Sequence, residues 1–206
     1  MTLTSMRLKS LLKLSSLLLI AAAMMMPATA EAQARTSGKP KKLKVVKAEC
    51  YYTLKPQAGN TYYAKNLVDG NPNTAWAMTL KEGVYDCDAL YGPTLTFAVK
   101  CKKLSHIVIR NGYGKSATAY KNNSRVRHIY VQPQTDLTYG LEGEGYIIDA
   151  ELKDTSAPQT IYAQNNKYNN NFREVQLIFP TESDGGFYRG AKWNDLCISE
   201  IEFWGW

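Results

Sequence analysis

The hydrophobic and polar positions after residue 40 follow the pattern of short β-strands. Runs rich in Val, Ile, Tyr, Phe and Thr alternate with clusters of Gly, Asn, Asp and Pro, as in a β-sandwich or barrel. Ile107 and Ile109 share one face of such a strand, as a period of two requires. The pattern predicts strands over residues 43–54, 94–99, 104–111, 125–132, 145–152, 160–163, 172–179 and 196–204.

The mature chain contains no long amphipathic helix, no internal repeat and no sign of a second core, which predicts one domain over residues 45–206. Two long loops, 57–80 and 112–124, are rich in aromatic and amide side chains. Loops of this composition on a rigid sandwich commonly carry recognition sites.

The first 34 residues have the order of a secretory signal peptide. Arg7, Lys9 and Lys13 precede an apolar run over 17–26, and small residues follow at 28–30 and 32–34. The alternative is a membrane anchor, but the run is shorter than the roughly 20 residues that span a bilayer. We therefore expect export to the periplasm, the cell surface or the medium, with a basic flexible tail over residues 35–44.

The distribution of charge argues against nucleic acid as a partner. The formal net charge is +7, but residues 45–206 contain 17 Lys and Arg and 17 Asp and Glu. The positive excess therefore lies in the leader and tail, whereas a nucleic-acid reader should carry it on its folded part.

The cysteine and histidine content argues against zinc and against catalysis. The four cysteines, Cys50, Cys87, Cys101 and Cys197, show no C-x-x-C spacing, so disulfides or free buried thiols are expected. The only histidines, His106 and His128, lie in predicted strands. The sequence therefore offers few residues for a Ser-His-Asp or Cys-His catalytic arrangement, and we predict no enzyme activity.

The turn Asp69-Gly-Asn-Pro-Asn-Thr-Ala-Trp76 resembles the turn between the first strands of discoidin-like, or factor V/VIII type C, domains, which include many carbohydrate-binding modules. In many of these domains the turn holds a calcium ion together with a glutamate on the last strand. The resemblance implies one structural calcium and no organic cofactor, and such mixed oxygen donors suit that ion. The alternative is that the turn only hydrogen-bonds its own backbone. The implied ligands are Asp69, Asn71, Thr74 and Glu200.

Two further motifs are more specific. Asn111-Gly-Tyr-Gly-Lys-Ser116 precedes Tyr120, Asn123 and Arg125-Val126, and 188–201 reads Y-R-G-A-K-W-N-D-L-C-I-S-E-I. Their order resembles the discoidin-like subfamily named for the glycan-binding translocation domain of streptococcal NAD glycohydrolase. The resemblance covers about residues 50–203 and leaves no room for a NAD-cleaving domain. The segment after Trp76, through Cys87 to Gly92, departs from the family pattern.

The resemblance implies an antiparallel jelly-roll β-sandwich that binds a glycan or cell-surface polysaccharide without cleaving it. Aromatic rings and polar groups on the loops would contact the sugar. As alternatives, Asn111 only shapes a turn, Arg125 pairs with an acid such as Asp195, and Trp193 is core. The candidate ligand-binding residues are Asn111, Tyr113, Lys115, Tyr120, Asn123, Arg125, Lys192 and Trp193.

Two further expectations depend on the same resemblance. Neighbouring first and last strands in discoidin-like sandwiches imply disulfides between Cys50 and Cys197 and, by remainder, between Cys87 and Cys101. The alternative function is a module that binds an envelope or surface-assembly protein through the same loops, with no sugar ligand.

Overall fold

A computed structural model describes residues 38–80, 93–136, 138, 144–180 and 185–206. The predicted signal peptide, the first residues of the predicted tail and Cys87 lie outside these ranges. In the described part of the chain, no helix is both long enough and apolar enough to cross a bilayer.

The described residues form twelve strands and two short helices. A 3₁₀ helix spans Ala64–Val68, and an α-helix, α1, spans Ala117–Asn122. Ser116 caps α1, because its side chain accepts a hydrogen bond from the Ala119 amide at 3.0 Å. The strands are β1 (Lys41–Lys42), β2 (Val45–Glu49), β3 (Trp76–Thr79), β4 (Thr94–Cys101), β5 (Leu104–Asn111), β6 (Ser124–Val126), β7 (His128–Pro133), β8 (Ile148–Glu151), β9 (Gln159–Tyr162), β10 (Phe172–Ile178), β11 (Phe187–Tyr188) and β12 (Asp195–Gly205).

The strands form two sheets. One has seven strands in the order β11-β6-β12-β5-β9, with β1 and β3 also paired to β12. The other has five strands in the order β2-β4-β10-β7-β8. Every pairing is antiparallel except that of β6 with β12. The predicted all-β sandwich is confirmed.

The core lies between the two sheets. In β5, Ile107 and Ile109 are fully buried, as the alternating pattern predicts. Phe97 of β4 meets Phe203 of β12 with ring centroids 5.1 Å apart, which joins the two sheets. Trp76, which ends the predicted turn, is completely buried and stacks on a second ring from the core.

The domain begins earlier than the predicted boundary at residue 45. Lys41 and Lys42 pair with Gly205 and Trp204, and the Leu43 amide donates to the Phe203 carbonyl at 2.8 Å. Of the run 43–54, predicted as one strand, only Val45–Glu49 forms a strand, β2, in the five-stranded sheet, whereas the preceding β1 pairs with β12 in the other sheet.

The predicted disulfide between Cys50 and Cys197 is wrong, because both cysteines are free. Cys50 follows β2 in the five-stranded sheet, whereas Cys197 lies in β12 of the other sheet. The first strand, β1, does pair with β12, but it carries no cysteine. Cys101 is also a free thiol, and Cys87, its predicted partner, lies outside the described residues. Burial raises the pKa of the Cys50 and Cys101 thiols to about 11.

Candidate functional site

A cavity of about 430 Å³ opens where β12 begins. Four parts of the chain form its walls: the segment from Leu54 to Tyr62, Ala77 of β3, the connection from β5 through α1 to β6, and the residues around the start of β12. It therefore joins both loops predicted to carry recognition residues. The lining residues are Leu54, Gln57, Ala58, Asn60, Tyr62, Ala77, Tyr113, Lys115, Ser116, Thr118, Ala119, Asn123, Trp193, Asp195 and Cys197.

Three aromatic rings contribute to the wall. Tyr62 and Tyr113 meet edge to face with their centroids 6.2 Å apart, and burial raises the pKa of both phenols. Trp193 leaves 43% of its surface exposed, and the Lys192 ammonium lies 4.9 Å from its ring centroid. The two tyrosines are fixed by packing, so Trp193 is the ring most available to a ligand.

The polar groups of the cavity come from different segments of the chain. The Lys115 ammonium donates to the Asn60 amide oxygen at 3.1 Å. Asp195 accepts the Thr79 hydroxyl at 2.8 Å through one carboxylate oxygen. The cavity therefore presents an ammonium, a carboxylate and the amides of Gln57 and Asn60, which together can donate and accept hydrogen bonds.

A tight turn holds the Gln57 and Asn60 amides in place. Gln57 and Asn60 bond each other through their backbones, at 3.1 and 2.9 Å. Ala58 and Gly59 at the tip have φ angles of 46° and 77°, the left-handed region that a two-residue hairpin turn of this kind needs. An alanine rarely adopts such a φ, so this turn at the cavity carries backbone strain.

Four of the eight predicted ligand-binding residues line the cavity: Tyr113, Lys115, Asn123 and Trp193. Lys192 lies beside it on the Trp193 ring. Asn111 is buried behind the wall, where its amide bonds both the Val126 carbonyl, at 2.6 Å, and the Val126 amide, at 3.0 Å. It therefore shapes the backbone, as the alternative reading held.

Arg125 and Tyr120 also lie behind the wall, in one network. The Arg125 guanidinium pairs with the Asp154 carboxylate at 2.7 Å. Asp195, the acid that one alternative named as its partner, is not the residue it pairs with. It also donates to the backbone carbonyls of Asn123, at 2.8 Å, and Arg189, at 3.1 Å. The Tyr120 ring lies 5.1 Å beneath the guanidinium, and its hydroxyl donates to Asp154 at 2.7 Å. One buried cation thus holds two walls of the cavity together.

Several cavity residues were not predicted individually. Gln57, Asn60 and Tyr62 belong to the loop 57–80, which was identified by its amide and aromatic content, but no sequence motif distinguishes them within it. Asp195 was assigned only to a possible ion pair. Its place in the wall depends on the pairing of β3 with β12, which sets Asp195 opposite Thr79.

The predicted calcium ligands lie close together in the structure. Asp69 accepts the Asn71 amide at 2.8 Å and the Thr74 hydroxyl at 2.9 Å. Glu200 lies beside them. A second cavity, of about 330 Å³, is lined by Asp69, Gly70 and Glu200 among others. The turn does bond its own backbone, but those bonds do not involve Glu200 Oε1, which is buried without a hydrogen-bond partner.

The electrostatics of this cluster fit a cation. Burial, reinforced by the adjacent Asp69 carboxylate, raises the pKa of Glu200 to about 7. Within the described residues no group of three His, Cys, Asp or Glu side chains could hold a metal. A bound ion would therefore need amide, hydroxyl or carbonyl oxygens as well as the two carboxylates, and calcium accepts such ligands.

The two sheets and the loop cavity at one end define a discoidin-like, F5/8 type C β-sandwich. Similar solved structures include the F5/8 type C domain of a Bacteroides fragilis protein, with 12% identity, a TM-score of 0.52, and coverage of 81% of this chain and 98% of that one. The C-terminal domain of a Bacteroides fragilis chitobiase has 18% identity and a TM-score of 0.50, with 79% and 96% coverage. The CBM32-1 and CBM32-2 domains of Clostridium perfringens ZmpB, in complex with GalNAc, have 12% identity and a TM-score of 0.50. The match covers 80% of this chain and 35% of that one.

The family identity follows from residues 40–204, which match the NAD glycohydrolase translocation F5/8 type C domain. The chain belongs to this family, as the motifs around Tyr113 and Trp193 predicted. No curated protein matches the chain.

Proposed function

We propose that the protein is an exported, non-catalytic glycan-binding or adhesion protein, and that its loop cavity binds a sugar ring. The observation that carries this proposal is the presence of an exposed indole, two packed phenols, two amides and two opposite charges in one open cavity. Sugars need a flat apolar surface together with planar hydrogen-bonding groups. The likeness to a CBM32 structure in complex with GalNAc adds support.

Each group has a role in this binding mode. The exposed face of Trp193 stacks on the C–H face of the sugar. The Asp195 carboxylate accepts bonds from hydroxyls, while the Lys115 ammonium and the amides of Gln57 and Asn60 donate to ring and hydroxyl oxygens. Among the described residues, one carboxylate lines the cavity, whereas glycoside cleavage commonly uses a pair, so we assign the cavity to binding.

The test combines a glycan array with calorimetry on the glycans that bind. We expect Trp193→Ala to weaken binding about 5- to 150-fold, because the loss of a stacked ring costs about 1–3 kcal/mol. Tyr51→Ala is the matched control, since Tyr51 is 92% exposed and does not line the cavity; it should bind normally. Tyr113→Phe tests the phenol hydroxyl alone while keeping the packed ring.

The absence of binding to any plant, host or bacterial glycan on the array would contradict the glycan proposal. Capture of one envelope protein, lost in Trp193→Ala but retained in Tyr51→Ala, would instead establish the alternative of a protein-binding surface module at the same loops.

We also propose a structural calcium ion at the turn, held by Asp69, Asn71, Thr74 and Glu200. The ion would neutralise the two adjacent carboxylates, and the buried Glu200 Oε1 would coordinate it. Calcium should raise the melting temperature of the protein in proportion to the logarithm of its concentration. Glu200→Gln should abolish that shift, whereas Glu151→Gln, at an exposed ion pair, should preserve it. An equal shift in Glu200→Gln would exclude this site.

Export is proposed from the basic, apolar and small-residue order of residues 1–34. Expression of the full chain in a bacterial host should give a mature protein that lacks this segment. The intact mass of the product from the envelope or medium measures the cleavage, and an uncleaved chain in the cytoplasm would contradict it.

A further inference from the structure

The opposite end of the sandwich carries a concentrated positive charge. Four segments meet there: 38–41, 100–104, 165–173 and 205–206. The Lys102 amide donates to the Trp206 carbonyl at 2.7 Å, and the Asn171 amide donates to the Lys102 carbonyl at 2.8 Å. The Trp206 indole donates to the Gly38 carbonyl at 2.8 Å. The cations of these segments, which we call the basic end, are Lys39, Lys41, Lys100, Lys102, Lys103, Lys167 and Arg173.

Within the described part of the chain, no ion pair neutralises the charge of the basic end. The four segments contain no Asp or Glu. All seven cationic side chains are exposed except that of Lys103, which is half-buried and donates to Asn165 at 2.5 Å. The ion pairs formed among the described residues include none of the seven.

This separation of charge contrasts with the neutrality of the domain. Five of the 17 Lys and Arg residues in 45–206 belong to these four segments, but none of the Asp and Glu residues that the structure describes does. Like charges this close repel one another, and the repulsion is relieved by an anionic partner. The arrangement therefore favours a polyanion.

The chemistry of this end favours an acidic polysaccharide over a membrane or a nucleic acid. Six of the seven cations are lysines, which act as point charges, whereas phosphate readers favour the planar fork of arginine. None of the exposed loop positions is a bulky apolar side chain of the kind that enters a bilayer; they are Gly38, Lys39, Lys102, Asn165, Lys167, Asn170 and Asn171. Exposed amides and lysines together can form hydrogen bonds with the hydroxyls and the carboxylates of one acidic polysaccharide chain.

We propose that the basic end binds an acidic polysaccharide, with its lysines spread along the carboxylate or sulfate groups. β12 runs from Asp195 in the cavity to Gly205 at this end. Its 11 residues separate the two places by roughly 30 Å, given the rise per residue of a strand. The basic end is therefore a second surface, independent of the cavity.

The test measures binding of the purified protein to polygalacturonate and to heparin, with dextran as the neutral control. Binding should weaken as salt is added, because exposed charges are screened. The variant K100Q/K102Q/R173Q should bind about tenfold more weakly, since each exposed pair contributes modestly. The variant K55Q/K65Q/K153Q removes the same charge from exposed sites elsewhere and should change binding less than about twofold.

Further variants and probes make the outcome decisive. K39Q/K167Q, on two other segments, should also weaken binding, whereas Trp193→Ala should not, which separates this proposal from that for the cavity. Equal losses in the two triple variants, or no binding to either acidic polymer at low salt, would overturn the proposal. Stronger binding to phosphatidylserine vesicles or to single-stranded DNA than to both polysaccharides would also overturn it.

Discussion

At the scale of single residues, the positions predicted to touch a ligand divide into lining and supporting roles. Tyr113, Lys115 and Trp193 face the cavity, whereas Asn111 and Arg125 are buried and bond backbone. All of these residue types can bind a sugar and all lie in or beside the same motifs, so the sequence does not distinguish the roles. The distinction comes from the fold: Asn111 and Arg125 are buried in β5 and β6, whereas Tyr113, Lys115 and Trp193 lie in the connections between strands.

The Arg125 ion pair predicts a measurable loss when its anion is removed. Asp154→Asn should lower the free energy of unfolding by about 1–2 kcal/mol, because a buried guanidinium loses its counter-charge. Glu151→Gln, at the exposed pair with Arg127, should cost under about 0.5 kcal/mol. Urea denaturation of the three proteins at neutral pH checks this, and equal losses in the two variants would contradict the assigned role.

The same pair predicts a dependence on pH. Its bonds with Arg125 hold the pKa of Asp154 below the usual value of 3.8. The stabilisation is therefore fully present above pH 3.8 and is lost as the pH falls through the lower, folded-state value. The difference in stability between the wild type and Asp154→Asn should shrink below that pH. A difference that instead stayed constant to the acid limit would show that the charge of Asp154 is not its source.

At the scale of elements, the loop before β12 is locked onto the end of α1 by its backbone. The Lys192 and Trp193 amides both donate to the Asn122 carbonyl, at 3.2 and 2.8 Å. Gly190 permits this close approach, because a Cβ there would lie 2.4 Å from the Asn122 oxygen. The position of Trp193 in the cavity thus depends on a glycine three residues away.

Gly190→Ala should therefore destabilise the protein by about 1–3 kcal/mol, as expected for steric overpacking, and should weaken glycan binding through the displaced indole. Gly59→Ala is the control in open space, where only the left-handed φ is unfavourable, by about 1 kcal/mol. Thermal unfolding and acrylamide quenching of tryptophan emission would report the two effects. A Gly190→Ala protein as stable as the wild type would refute the close approach.

At the scale of the whole molecule, the domain is completed by a segment that the sequence assigned to a flexible tail. Lys41 and Lys42 extend the seven-stranded sheet along β12, and Leu43 packs against the core. Two lysines carry no hydrophobic pattern, so this strand was not predicted. Its pairing depends instead on the backbone groups that β12 offers.

A chain that begins at Val45 should be less stable than one that begins at Gly38. The loss of the β1 hydrogen bonds, the Lys42–Glu202 ion pair and the Leu43 contact should cost about 2 kcal/mol. For a domain of this size, that lowers the melting temperature by several degrees, at roughly 2–4 °C per kcal/mol. Identical melting curves for the two chains would show that β1 contributes nothing.

The sequence by itself determined the fold class, the family and the segments that form the site. Alternating patterns such as that of Ile107 and Ile109 follow from the period of a strand, and motifs such as that ending at Trp193 are local. The tertiary structure alone decided which strands neighbour one another, that Cys50 and Cys197 are free, and that Asp154 is the partner of Arg125. It also brought together the lysines of the basic end. These features depend on contacts between residues far apart in the chain, for which a local pattern carries no signal.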